Sequence, residues 1–279
     1  MARIFARTLA LRERVSAEEW HTRVDLAACY RLVALYGMTD LVYNHITARV
    51  PGSEDHVLIN AYGMLYEEIT ASSLIKIDLE GRTVLQPDHE YSVNAAGYVI
   101  HSAVHSARQD AHCVIHTHTR AGAAVSALAD GLMPLSQTAM RFAGHLAYHD
   151  YEGPAFNRGE RERLVADLGD KDAMILRNHG LLACAPSIPQ AFNLIYWLEQ
   201  ACKIQIDILA CGRPLNVPSS GVVEGTSDAL SGVEITLDNE SDTNPREKAG
   251  AQKSRSGYGL LEWPALRRRL DRLDPSYAD

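Results

Sequence analysis

The sequence lacks a long apolar run, an excess of positive charge and an export signal. No stretch approaches the about eighteen consecutive apolar residues that a membrane-spanning helix needs. Residues 1–20 contain arginines and acids but no continuous apolar segment before a cleavage site. The formal net charge is -8, without a basic stripe. We therefore expect a small-molecule partner, and neither nucleic acid nor a membrane.

The sequence also has few cysteines, and they lack a pairing pattern. There are five, an odd number, and no two of them form a Cys-x-x-Cys motif. This pattern is typical of reduced cysteines, so we expect a cytoplasmic protein. The chain has 279 residues, of which 46% are hydrophobic, and can therefore bury one large core or two small ones.

Hydrophobic periodicity predicts alternating helices and strands. Apolar residues recur at helical spacing over residues 17–36, behind the acids Glu18 and Glu19. Three strand-like stretches separated by turn signals predict a β-meander, at 41–50, 56–61 and 74–79. The remaining predicted elements are helices at 94–108, 120–129, 160–168 and 189–211 and strands at 113–118, 173–176 and 181–184.

Composition divides the chain into three parts. Residues 1–214 form the predicted domain. Residues 215–257 are rich in small and polar side chains that cannot repay the entropy of ordering, so we predict a flexible linker there. Residues 258–279 regain large apolar side chains at helical intervals, beginning with Trp263. We expect this C-terminal helical tail to dock on the core or on a neighbouring subunit.

Two histidines in the predicted strand 113–118 are separated by one residue. Alternation along a strand puts His116 and His118 on one face, where two imidazoles can hold a metal ion. His179 follows the strand 173–176 in an Asn-His-Gly turn and can supply a third imidazole. Three neutral imidazoles leave at least one coordination position open, as in catalytic metal sites. For the His-x-His pair alone, the alternative is two surface histidines at the end of a strand.

Four segments of the chain carry motifs: 44–49 (Asn-His-Ile-Thr-Ala-Arg), 60–70, 114–118 (Val-Ile-His-Thr-His) and 178–180 (Asn-His-Gly). Together they resemble the class II aldolase/adducin family, in its bacterial adducin-like branch, over residues 24–209. The resemblance implies an α/β fold, a three-layer αβα sandwich with a mostly antiparallel central sheet. It also implies a divalent metal, usually zinc, on His116, His118 and His179, and a homotetramer with active sites at subunit interfaces.

The chain departs from the pattern of phosphosugar aldolases at several positions. Gly97 stands where the resemblance places the acid/base glutamate, and Ala95 and Ala96 replace two phosphate-binding serines. Leu-Val-Tyr at 41–43 replaces the glycine-rich phosphate loop. These replacements favour a non-phosphorylated 2-oxo or 2-hydroxy carbonyl substrate.

The segments around the replaced phosphate loop contain the predicted substrate contacts. We assign Asn44, Tyr43 and Gly63 to substrate binding, and Met64 and Tyr66 add apolar surface nearby. Asn44 has an alternative role in capping or bridging the strand turn.

The missing glutamate leaves the proton carrier to be identified. The position at which family dehydratases carry a glutamate is a threonine in this chain. We predict His101, His149 and Tyr148 as catalytic residues, with His145 and Tyr151 as further candidates. In the alternative interpretation His101 is a hydrogen-bonded core histidine, and His145 and His149 are exposed loop residues.

Three functions are compatible with this sequence. The first, which we favour, is a metal-dependent carbon–carbon lyase (aldolase or decarboxylase) with zinc, or with manganese. The second is a non-heme Fe(II) oxygenase acting on an aromatic oxo acid, since three imidazoles with open positions can bind both oxygen and a chelating acid. The third is a non-catalytic adducin-like module, because adducins share the signature Asn94-x-Ala96-Gly97. The intact histidine triad favours an enzyme.

Overall fold

The computed structural model describes residues 10–153, 159–230 and 258–279. The strands are β1 (His45–Arg49), β2 (His56–Ile59), β3 (Ile75–Asp78), β4 (Thr83–Leu85), β5 (Cys113–Thr117), β6 (Leu146–His149), β7 (Ala173–Leu176) and β8 (Gly180–Ala185). The α-helices are α1 (Ala17–Leu35), α2 (Ala95–Ala107), α3 (Arg120–Ser126), α4 (Gln137–Met140), α5 (Glu160–Leu168), α6 (Ile188–Ala210), α7 (Ser220–Leu230) and α8 (Trp263–Leu273). Short 3-10 helices lie at Leu11–Arg14, Tyr66–Glu68, Ala71–Ser73 and Pro275–Ala278.

The strands form one eight-stranded mixed sheet in the order β4-β3-β2-β1-β5-β8-β7-β6. Neighbouring strands are antiparallel except for β6 and β7, which are parallel. The predicted meander is the run from β1 to β3, which β4 extends at the sheet edge. The sheet is thus mostly antiparallel, as expected, but not purely so.

Successive side chains of a strand point to opposite faces of the sheet. In β5 both sets are apolar, so both faces of the sheet are covered by helices. On one face, Cys113 and Ile115 of β5 contribute to a core with α1, α3 and α6. On the other face, Val114 packs in a core with α2 and α5. His116 has the same parity as Val114 and therefore lies on the α2 face.

Most predicted elements appear within a few residues of their expected bounds. Helix 160–168 and strand 173–176 match the observed α5 and β7. β4, α4 and β6 are additional. Strand β5 ends at Thr117, so His118 is the first residue of the connection to α3 rather than part of the strand in which alternation was argued.

The predicted linker is ordered at its start. Residues Ser220–Leu230 form helix α7, which contacts α4, and the buried hydroxyl of Ser227 donates to the carbonyl of Ala143 at 2.8 Å. The prediction of a flexible segment is therefore wrong for these residues. The rest of the predicted linker, residues 231–257, lies outside the described residues.

The C-terminal helix α8 packs on the core of its own chain in this structure. Trp263 is buried, its indole N–H donates to Asp25 at 3.3 Å, and its ring lies 6.1 Å from that of Phe192. Arg31 of α1 forms an ion pair with Asp274 just beyond the helix. These contacts support docking on the core. Among the described residues, no helix combines the length and the apolar character that a membrane crossing requires.

Candidate metal centre

The structure brings the rings of His116, His118 and His179 together at one end of β5. His118 Nε2 lies 2.8 Å from His116 Nε2 and 2.9 Å from His179 Nε2. The three ligand nitrogens all lie within 4.8 Å of one another. No other group of three or more histidine, cysteine or acidic side chains with this geometry occurs in the described part of the chain.

The hydrogen bonds of two of these rings determine which nitrogens carry protons. His116 Nδ1 donates to the carbonyl oxygen of Leu181 at 2.9 Å, and His118 Nδ1 donates to Asp40 Oδ2 at 3.0 Å. In the neutral form of both rings, the two Nε2 atoms therefore carry lone pairs, which face each other at 2.8 Å. Such an arrangement is repulsive unless a cation binds there. Metal-ligating histidines typically donate their second N–H to a carbonyl or carboxylate in this way, so the donor set fits a divalent metal.

The surroundings also favour the neutral form of two of the ligands, His116 and His179. Burial, and then the neighbouring histidines, lower the pKa of His116 well below its ordinary value. Burial, followed by the proximity of His118, lowers the pKa of His179 to about 4. Since a metal binds the neutral imidazole, these shifts favour ligation near pH 7.

A tight turn presents His179 to the site. Strand β7 ends at Leu176 and β8 begins at Gly180, and Asn178 between them has a φ of +55°, a left-handed conformation that asparagine tolerates. At Gly180, an added Cβ would lie 2.3 Å from the carbonyl oxygen of Thr117. Only glycine therefore lets β8 approach the end of β5 closely enough to bring His179 to the other two rings.

The segment after His118 is also held in place. Thr119 Oγ1 accepts a hydrogen bond from Gly122 N at 3.1 Å and thereby caps helix α3. The same hydroxyl donates to the buried carboxylate of Glu199 on α6. These contacts restrict the backbone beside His118.

Asp40 is a functional residue that sequence reasoning missed. It lies in the loop before β1, next to Leu41, which has a φ of +48°. Asp40 and His118 are 78 positions apart, so no local spacing could have connected them. The carboxylate orients the His118 ring so that its Nε2 faces the other two histidines.

We expect Asp40→Ala to lower the affinity for Zn²⁺ by about 10- to 100-fold, the range for loss of a partner that orients a metal ligand. Competition with a chelator of known affinity would measure this change. The control is Asp130→Ala, which removes an exposed carboxylate and should leave the affinity unchanged. Equal affinities for the two variants would contradict the assigned role of Asp40.

A chain of buried polar side chains lies between the sheet and α2, beside the triad. It joins His45 and Thr47 of β1 to His101 and His105 of α2, and all four residues are at most 3% exposed. The distances are 3.0 Å from His45 Nδ1 to His101 Nε2, 2.7 Å from His101 Nδ1 to Thr47 Oγ1, and 2.7 Å from Thr47 Oγ1 to His105 Nε2. His101 thus belongs to a hydrogen-bonded core network, as in the alternative interpretation, and that network reaches the site through His45.

The other two predicted catalytic residues are engaged elsewhere. Tyr148 packs in the core on the face of the sheet opposite to His116, where its hydroxyl accepts a hydrogen bond from Leu132 N at 3.0 Å. His149 is on β6, and its Nδ1 lies 2.7 Å from Asp167 Oδ2. Strand β6 is three strands away from β5, and the side-chain hydrogen bonds of Tyr148 and His149 within the described residues go to groups outside the triad. The expectation that His149 is an exposed loop residue is wrong, since it is 4% exposed and in a strand.

Tyr151, a further candidate, does lie at the triad. Its ring centroid is 6.2 Å from that of His179, and its side chain is half exposed. It follows β6 by two residues, so a strand that the sequence did not predict positions it.

The predicted substrate contacts occupy three different environments. Asn44 is 1% exposed, and neither its amide nitrogen nor its amide oxygen has a hydrogen-bond partner within the described residues. Tyr43 is half exposed, with its ring centroid 6.3 Å from that of Tyr62. Gly63 has a φ of +109°, and a Cβ there would lie 3.1 Å from the Tyr91 ring. Gly63 therefore makes room for Tyr91, which does not support a direct contact with substrate.

Residues 24–206 match the family model described as the class II aldolase and adducin N-terminal domain. The chain belongs to this family. The match confirms the resemblance that the motifs indicated. A protein of Pseudomonas aeruginosa that carries the provisional name of an aldolase class 2 protein is 47% identical over 95% of this chain and 94% of its own length. Alpha-adducin of Rattus norvegicus is 47% identical over 70% of this chain, which corresponds to 27% of the adducin.

The crystal structure of an aldolase II superfamily protein from Pseudomonas syringae is similar to the structure of this chain over nearly its full length. It is 46% identical in sequence, covers 97% of this chain and 100% of its own, and has a TM-score of 0.85. The class II aldolase fold is thus shown for this chain.

Proposed function

We propose that this protein is a metal-dependent carbon–carbon lyase that acts on a non-phosphorylated 2-oxo or 2-hydroxy carbonyl compound. In this proposal His116, His118 and His179 hold a divalent ion, with zinc as the resident metal. The observation that carries the proposal is the convergence of the three imidazoles, whose ligand nitrogens lie within 4.8 Å of one another, with Nε2 of His116 and of His118 2.8 Å apart. Membership of the aldolase family supports it.

The chemistry follows from charge and from unmet hydrogen bonds. A divalent ion on three neutral ligands keeps its full charge and would stabilise negative charge developing on the oxygens of a carbonyl substrate. Asn44 would orient the substrate, because its buried amide has no partner within the described residues and an unpaired buried amide is costly. Tyr151 lies at the exposed side of His179, where it can contact a bound ligand.

The surface near the replaced phosphate loop supports a less polar substrate. Tyr43 and Tyr91 are each half exposed, the ring of Tyr62 lies 6.3 Å from that of Tyr43, and the Tyr91 ring packs against Gly63, the residue after Tyr62. Aromatic rings in this position favour an apolar or aromatic carbonyl compound over a sugar phosphate. We expect no heat of binding when a phosphosugar such as fuculose 1-phosphate is titrated into zinc-loaded protein, and micromolar affinity would contradict this substrate class.

Elemental analysis of the purified protein tests the proposed function directly. Zinc or manganese near one equivalent per chain supports the lyase. Iron with substrate-dependent oxygen uptake would favour the Fe(II) oxygenase instead. No bound metal, and no binding of added Zn²⁺, would overturn both.

The similarity to alpha-adducin favours a non-catalytic module as the second candidate. The opposing observation is the triad itself, because three imidazole nitrogens that converge within 4.8 Å are typical of a metal site. Retention of zinc without turnover of any 2-oxo or 2-hydroxy acid would favour the module.

We further propose that the protein is a homotetramer with active sites at subunit interfaces. Support comes from large exposed apolar side chains near the site, among them Leu41, Tyr43 and Tyr151. A monomeric mass in light scattering would contradict this assembly.

A further inference from the structure

The donors and acceptors in the chain of polar side chains between β1 and α2 can be assigned one after another, beginning at a backbone carbonyl. His105 Nδ1 lies 3.1 Å from the carbonyl oxygen of Ala111. A carbonyl can only accept, so His105 Nδ1 carries the proton. A neutral imidazole has one N–H, which leaves His105 Nε2 as an acceptor.

Each following hydrogen bond then has only one consistent direction. Thr47 Oγ1 has a single proton, which it donates to His105 Nε2 at 2.7 Å. The Thr47 oxygen accordingly accepts from His101 Nδ1 at 2.7 Å. His101 Nε2 is left as an acceptor, and His45 Nδ1 donates to it at 3.0 Å.

This assignment requires neutral rings, and burial favours the neutral form of the two histidines on α2. Burial, and then the charge of Arg49, lowers the pKa of His105 to about 3. Burial also lowers the pKa of His101 well below its ordinary value.

His45 stands beside the triad without belonging to it. It pairs with His116 across β1 and β5 on the same face of the sheet, and the two ring centroids are 5.6 Å apart. It is not part of the metal-compatible group formed by His116, His118 and His179. Within the described residues no hydrogen bond reaches its Nε2.

We infer that His45 is a specificity residue, whose Nε2 lone pair accepts a hydrogen bond from a hydroxyl group of the ligand bound at the triad. Thr47, His101 and His105 are positioning residues that hold the His45 tautomer in which this lone pair is available. The inference rests on the proposed metal site and deepens it. It limits the substrate class to compounds with a hydroxyl donor next to the oxygen that binds the metal, such as a 2-hydroxy acid or a hydroxyketone.

The first test reads the His45 tautomer and needs no bound metal. Protein labelled with ¹⁵N in its histidine rings is measured by solid-state NMR near pH 7.5, as purified and with added Zn²⁺, and the His45 signals are assigned by their loss in His45→Gln. We expect a protonated Nδ1 and an unprotonated Nε2. A proton on Nε2 would overturn the inference.

Two substitutions of Thr47 form a matched pair of variants for the same measurement. Thr47→Ser keeps the hydroxyl and should preserve the single tautomer. Thr47→Val keeps the shape but removes the donor to His105 and the acceptor for His101, so His45 should become a mixture of tautomers. An unchanged single tautomer in Thr47→Val would show that this chain does not hold His45.

The second test compares two small probes by calorimetry on the zinc-loaded protein. Glycolate has a hydroxyl donor beside its carboxylate, whereas methoxyacetate has none. The ratio of their affinities should fall about fivefold to tenfold in His45→Leu relative to the unmodified protein, the range for loss of one hydrogen bond. The exposed-histidine control, His21→Gln, should keep the original ratio.

An unchanged ratio in His45→Leu would overturn the hydroxyl acceptor role. Failure of the metal site itself gives a different result, because the protein would then bind neither Zn²⁺ nor the probes. In that case the NMR measurement still decides the tautomer of His45 in the full chain.

Discussion

Replacing His116 by glutamine is expected to lower the affinity for Zn²⁺ by more than about 100-fold, beyond the usual loss for an outer-shell partner. His116 is the most buried of the three ligands, at 1% exposed. Its Nδ1–H bond to the carbonyl of Leu181 ties the ring to the strand next to β5. Glutamine has a similar reach but cannot present the imidazole lone pair to the ion.

Chelator competition and elemental analysis would measure this loss. The control is His112→Gln, which alters an exposed histidine just before the same strand and should leave zinc binding intact. Circular dichroism would show whether the His116 variant keeps its fold. Stoichiometric zinc with unchanged affinity in a folded His116→Gln protein would show that the triad is not the metal site.

Replacing Gly180 by alanine should destabilise the protein by roughly 3 kcal/mol, the upper part of the range for overpacking. The added Cβ would lie 2.3 Å from the carbonyl oxygen of Thr117, which is backbone and cannot rotate away. The two strands must therefore separate. Since Thr117 and Gly180 flank the triad histidines, the separation should also weaken zinc binding.

Urea denaturation of both proteins would measure the change in the free energy of unfolding. Gly221→Ala is the control, because an added Cβ there has no neighbour within 4 Å and the residue lies in helix α7. That variant should be neutral or more stable by up to about 1 kcal/mol. Equal stability of the two variants would contradict the close approach of β8 to β5.

The proton carriers show where sequence reasoning fails. Tyr148 and His149 lie between His118 and His179 in the sequence. Alternation in β6 nevertheless places their side chains on opposite faces of the sheet. Their partners, Asp167 and Leu132, come from other segments. No periodicity in one segment could reveal these contacts.

The sequence by itself determined the parts of the site that depend on short spacing: the His116-x-His118 pair, the His179 turn with its glycine, and the alternation of helices and strands. These features follow from backbone geometry, which repeats over two to four residues. Only the tertiary structure decided what surrounds the triad. Asp40 approaches His118 from 78 positions away, and His45 meets His101 from 56 positions away. Such partners are chosen by strand order and helix packing, where contacts between distant segments, rather than local spacing, set the distances.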